Sequence, residues 1–311
     1  MDYTVTELIT SLKMRGLIPT NSEKTFSDDD LIRFMSEELM TVLVPKMMTV
    51  RENYFLTYSD VPIVANQAEY QINPRAIGMK IKLLYYLDSN GNQKCKLQLI
   101  DVDNKLWTNE SNTSGEPQEY YFIDNFFHVS PPPNSSGGSF RQYYFQRRNE
   151  LVSTQKAGQI VQIVGNDVEI NFVPEDFIVT SSYDFVKGTP GFQNLAIDQV
   201  PTGISSTVFT FTTLPAGLAV GDWLCLAGQS PIPQVPLEMF PVISQTAVAV
   251  ALMAMNDQEG ADTAFKKRSE MLDQSLILIG SRAENNAKVI TSHVNIGNAL
   301  FGGYGFGPWL R

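Results

Sequence analysis

The sequence predicts an α+β fold, and three observations carry that prediction. Apolar residues recur at helical spacing from Thr6 to Val50 and again from Pro236 to Gly280. Between Tyr54 and Leu226 the apolar period drops to two, with Asn-Gly and Gly-Asn turns between the runs. The end of the chain, FGGYGFGPWLR, sets four aromatics among glycines. The expected architecture is a set of terminal helices forming a helical bundle, with an inserted antiparallel β domain (a sandwich or small barrel) and an extended C-terminal arm. Its expected segments are 1–53 and 236–280 for the bundle, 54–235 for the β-rich insertion and 281–311 for the arm.

The elements follow in order. Thr6 to Met14 forms a short amphipathic helix, stopped at Gly16 and Pro19. Ser27 is placed to cap the next helix, with Asp30 at the reciprocal capping-box position and Asp28 to Asp30 matching the positive end of the helix dipole. Phe26 and Leu31 have the spacing of a hydrophobic staple. Leu31, Phe34, Met35, Leu39, Val42 and Leu43 then define one face. Pro45 lacks a backbone donor and clashes with the preceding turn, so a kink is expected before the pattern resumes at Met47 and Met48.

In the middle, Ile81 to Leu87 and Lys94 to Ile100 flank Asn90-Gly91, whose positive φ suits a tight hairpin. Gln159 to Val164 and Val168 to Phe172 predict a second hairpin around Gly165-Asn166. Thr207 to Thr212 and Ala219 to Leu226 predict a third pair. Phe140 to Arg148 reads as one more strand, rich in aromatics, and Pro131 to Ser139 and Asn109 to Gln118 as loops. Helix returns at Pro236, runs to about Asn256, turns at Gly260 and resumes to Gly280.

Composition narrows the function. With 311 residues, 43% hydrophobic and 18% charged, the chain is ordinary globular protein. A net charge of −10 disfavours a sequence-specific nucleic-acid reader, which needs a basic face, yet suits a surface past which DNA slides without sticking. Cys95 and Cys225, far apart in sequence, predict neither a disulfide scaffold nor, with two histidines, a zinc site. No basic leader opens the chain, and Pro241 to Met255 reads as too short and too polar to span a bilayer, so a soluble protein of a reducing compartment is expected.

Catalytic signatures are missing. There is no G-x-S-x-G elbow, no P-loop, and no G-x-G-x-x-G after a strand. His128 sits in a strand-like FFHVS context and reads as a packing residue. Asp28 to Asp30 are explained by the helix start, and Asp101-Val102-Asp103-Asn104 lacks the glycine and closing glutamate of a calcium loop. No enzyme, cofactor or metal is expected. One alternative is a β-rich carbohydrate-binding or hydrolytic protein that stacks sugars on Trp107, Tyr120 and Tyr121.

Two blocks carry a family resemblance: FSDDDLIRFMSEELMTVLVPKMMTVRENYFLTYSDVPIVANQAEYQINPRAIG (Phe26 to Gly78), and LPAGLAVGDWLCLAGQSPIPQVPLEMFPVISQTAVAVAL (Leu214 to Leu252) followed by DQEGADTAFKKRSEM (Asp257 to Met271). In these, about a third of its length, the chain resembles head-to-tail connector, or adaptor, proteins of tailed bacteriophages. The resemblance implies a structural ring, dodecameric in such families, seated beneath the portal protein at the virion neck and assembled in the host cytoplasm. Its lumen passes DNA, its other face meets the next tail component, and a C-terminal segment grips the portal. For this chain the expected gripping residues are Phe301, Tyr304, Phe306, Trp309 and Arg311. Arg282, Lys288 and Arg311 against Glu284 make that segment mildly basic. A portal-distal tail ring, contacting through the β domain, is the second expectation.

Overall fold

The computed structural model describes residues 3–16, 26–103, 114–189 and 193–280. Their fold is mixed α+β, and their buried apolar side chains gather in three cores.

Helices from both ends of the chain build the first core. Helix α1 (Val5–Gly16) and helix α2 (Asp28–Glu38) both pack on α4 (Phe240–Ala254), which also packs on α5 (Gln258–Ile279). The start of α2 is as expected. Asp30 N–H donates to Ser27 Oγ at 3.2 Å, while Ser27 N–H donates to the Asp30 carboxylate at 2.9 Å. Asp28 pairs with Lys13 of α1 at 2.7 Å. Phe26 packs edge-on against Phe34, 5.7 Å between ring centres.

Pro45 does not break the helix. A π-helical turn, Leu39–Leu43, precedes it, with Val44 N–H donating to Leu39 C=O, and α3 (Val44–Val50) continues beyond. The wider turn takes up the place where the proline has no N–H to give.

Helix α4 is apolar on nearly every side because it is covered on nearly every side. With the 3-10 turn Leu237–Met239 before it, Leu237–Ala254 is long and apolar enough to cross a membrane by length and composition, contrary to expectation. Yet 61% of that window is buried inside the fold. Arg268 of α5 ties the helices together, donating from Nε to Glu38 at 3.0 Å and to the Thr246 hydroxyl at 3.2 Å.

The β region is not one sandwich or small barrel. Among the described residues its sheets are open, and they divide into two units. In the first, a four-stranded sheet has the order β1 (Leu56–Pro62), β8 (Ser139–Gln146), β3 (Ala76–Leu87), β4 (Gln93–Lys96). A second sheet has the order β2 (Glu69–Gln71), β7 (Phe126–Ser130), β6 (Glu119–Ile123), β5 (Gln98–Leu99). The β3–β4 hairpin forms as expected, with Gly91 at φ +79° and Asp88 accepting from Asn90 and Asn92 N–H. The chain then crosses between the sheets at Leu97, which is buried: Leu97 N–H donates to Leu84 and Gln98 N–H to Gln118. Tyr70, Phe127 and Phe140 cluster in the core enclosed by these two sheets.

The polar run Gln146 to Glu150 cannot extend that core, and a second unit begins after it. Its seven strands run in the order β13 (Asn194–Gln199), β12 (Tyr183–Val186), β16 (Trp223–Leu226), β10 (Ala157–Val164), β11 (Asp167–Ile170), β15 (Val208–Thr210), β14 (Gly203–Ser205). The β10–β11 hairpin forms as expected around Gly165, with a bulge between Ile160 and Gln162. The third expected hairpin does not form. β15 pairs with β11 and β14, and β16 with β10 and β12. Gly217 (φ +82°) and Gly221 (φ +94°) break the extended run, and buried Asp222 folds it into a turn by accepting from Ala219 and Gly188 N–H at 2.9 Å each. Ala157, Val186, Trp223 and Cys225 reach from this unit into the helical core.

Candidate interaction surface

Strand β8 shows how the sequence builds an outward aromatic face. Phe140, Gln142, Tyr144 and Gln146 are buried, whereas Arg141, Tyr143 and Phe145 alternate with them on the other side. The register sets Tyr58 and Asp60 of β1 opposite Tyr143 and Arg141, and Tyr85 of β3 opposite Arg141 on its other flank. Ring centres lie 5.6 Å apart for Tyr58–Tyr143 and 5.7 Å for Tyr85–Tyr143. The Arg141 guanidinium lies over the Tyr58 ring at 4.3 Å, held by two 2.7 Å bonds to the Asp60 carboxylate. Those hydrogen bonds push the Arg141 pKa up, so the charge is permanent. Lys82 lies over Phe145 at 5.1 Å and pairs with Glu52 at 2.9 Å, and Lys96 stands opposite Tyr85. Tyr58 remains 52% exposed. Tyrosine and arginine, locked by neighbours and half in water, are the residue types that dominate binding hot spots. Such a face offers a partner ring stacking and charge pairing.

A second constellation is buried where the two β units meet. The Asp184 carboxylate has no exposed surface. It accepts from Arg75 Nη2 at 3.0 Å, Asn149 Nδ2 at 2.8 Å, and the N–H groups of Asp198 and Gly228 at 2.9 Å each. Arg75, from the first unit, also bonds Asp198 at 2.8 Å. Burial raises the Asp184 pKa, and the four donors oppose it. Every lone pair is engaged, so this carboxylate joins structures and is not free to act as a base. Nearby, burial lowers Arg148 to about 10, with its guanidinium 4.7 Å over Phe55.

No family model and no curated protein sequence matches the chain.

Of the residues expected to bind, Phe301, Tyr304, Phe306, Trp309 and Arg311 lie outside the described residues, as does Trp107. Tyr120 is buried against Phe122 and its phenol is raised by burial, so it offers no stacking surface to a sugar. Tyr121 stacks on His128 at 5.2 Å, and His128 Nε2 lies 3.9 Å from Glu69. Asp103 N–H donates to Asp101 in a local turn. No group of three or more metal-ligating side chains occurs among the described residues. The unit of Tyr58, Tyr85, Arg141 and Tyr143 is not among the surfaces expected to bind. Its signal was present in SFRQYYFQ, where aromatics fill both phases of the alternation.

Proposed function

We propose that the protein is a structural head-to-tail connector of a tailed phage: a ring that joins the portal to the tail and forms part of the DNA conduit. The observation that supports this best is that helices before and after the β region share one core. Helices α1 and α2 meet α4 and α5, which fits a bundle carrying β units as an insertion. In this reading the helices form the body of the ring, and the segment from Ser281 to Arg311, which lies outside the described residues, is assigned the grip on the portal. In that arm Phe301, Tyr304, Phe306 and Trp309 fill apolar pockets and Arg311 pairs with an acidic group. The acidic composition suits a lumen that DNA passes without sticking. Binding, not turnover, is the role of the residues named.

Deleting Asn298 to Arg311 tests the arm. The truncated protein is expected to keep its far-ultraviolet spectrum and to lose portal binding; wild-type portal binding by the truncation would refute it. The outward tyrosine face favours a second reading, a portal-distal tail ring whose contacts are made by the β units. Wild-type binding of the tail partner by Tyr58→Ala/Tyr143→Ala would exclude that reading.

A further inference from the structure

The two β units differ sharply in charge. From Ala157 to Ser230 the sequence holds one cation, Lys187, against seven carboxylates. Lys187 is already paired with Asp222 at 3.3 Å. The first unit, in contrast, carries Lys80, Lys82, Lys94 and Lys96 within one hairpin, with Asp88 the only carboxylate among them. Lys80 and Lys96 are exposed and have no ion-pair partner among the described residues.

Within the acidic unit one turn exposes carboxylates beside aliphatic side chains. Glu175 and Asp176 are exposed and have no ion-pair partner among the described residues. Beside them Ile178 is 54% and Val179 44% exposed. The turn is fixed from beneath. Phe177 is buried, with its ring 4.9 Å from Tyr183 and 5.8 Å from Phe209. The Tyr183 hydroxyl donates to Ile178 C=O at 2.8 Å, and Phe177 N–H donates to Pro174 C=O. Two carboxylates and two aliphatic side chains are therefore presented on a rigid support, at little ordering cost on binding.

We propose that the Glu175–Val179 turn of one copy docks on the face of a second copy that carries Tyr58, Tyr85, Tyr143 and Lys96. Ile178 and Val179 pack on the tyrosine rings, while Glu175 and Asp176 meet Lys80 and Lys96. The occupant is a second copy because each surface supplies what the other lacks, in charge and in apolar contact. Two different patches meeting head to tail make a heterologous contact, which generates a ring when its rotation closes. The inference rests on the ring part of the connector proposal and assigns the contact that closes it.

The test is mass photometry of the full chain as a function of concentration. Glu175→Lys/Asp176→Lys, and separately Lys80→Glu/Lys96→Glu, are each expected to raise the concentration for half-assembly by about tenfold or more. Combining all four substitutions is expected to restore assembly, which a folding defect would not do. Higher salt is expected to weaken the wild-type assembly. The milder Glu175→Gln/Asp176→Asn is expected to fall between wild type and charge reversal. Assembly like wild type in either reversed pair overturns the contact, as does failure of the fourfold variant to reassemble or a wild-type chain that stays monomeric. Portal binding by a ring that ignores these substitutions removes this contact and leaves the connector proposal standing.

Discussion

Replacing Arg75 with methionine removes the cation that bonds the Asp184 carboxylate at the junction of the β units. In the wild type that carboxylate has no exposed surface and four donors. The substitution leaves Asn149 and the N–H groups of Asp198 and Gly228 in place, so the charge is not abandoned. Breaking a buried pair from one side costs about 3–5 kcal/mol, and three surviving donors put this site near the lower end, about 3 kcal/mol. That is roughly a hundredfold in the folding equilibrium. The second partner, Asp198, is 42% exposed and adds little.

The pH dependence has a definite sign. Asp184 titrates above its ordinary value of 3.8 in the fold, and losing Arg75 raises it further. A carboxyl raised in this way gives stability that is complete below the unfolded value and lost as pH rises through the folded one. The penalty of Arg75→Met is therefore largest near neutrality and shrinks on acidification. Urea unfolding followed by circular dichroism at several pH values measures it. A neutral-pH loss under about 1 kcal/mol, or a penalty that grows on acidification, would show that Arg75 does not balance the buried Asp184 charge. The pair Arg75→Met/Asp184→Asn is expected to lose less than the sum of the single variants, since the orphaned charge is gone.

Two further substitutions probe the other cores. In Gly158→Ala the new Cβ would lie 2.5 Å from Ile170 Cδ1 and 3.0 Å from its Cβ, so the β10–β11 pair must shift. A loss of about 1–3 kcal/mol in urea unfolding is expected, and an unchanged midpoint contradicts that packing. Ser27→Ala removes the cap of α2 and is expected to cost about 1 kcal/mol in the same assay. The Ser27 hydroxyl and N–H hold the Asp30 carboxyl below its ordinary value, a contribution present above that value and lost as pH falls. Acid sensitivity from this site is expected to diminish in the variant; an unchanged acid limb argues against the cap.

The legible parts of the fold are those fixed by neighbours in sequence. The Ser27 cap, the Asn90-Gly91 hairpin and the Gly165 hairpin each depend on a few adjacent residues, and the structure has all three. What escaped the sequence depends on distant partners. Strand β15 pairs with β11, across some forty residues, because Gly217, Gly221 and the buried Asp222 turn prevent the local hairpin. The π turn Leu39–Leu43 before Pro45 had no signal in the apolar spacing either. On the candidate surface, alternation showed that β8 was a strand but not which neighbours would complete its outer face. Tyr58 and Tyr85 join Tyr143 only through the sheet order β1-β8-β3, which no short-range pattern encodes. Asp184 gave no signal either, since its four donors come from four separate stretches of chain.

The proposed role requires copies of this chain to form a ring and that ring to seat on a portal. Mass measurement of the 311-residue protein, alone and after mixing with an isolated portal ring, tests both requirements. The expected result is a complex whose mass exceeds that of the portal by a whole-number multiple of 34.7 kDa, matching a ring of this chain. A protein that remains monomeric and adds no mass to the portal would contradict the claim.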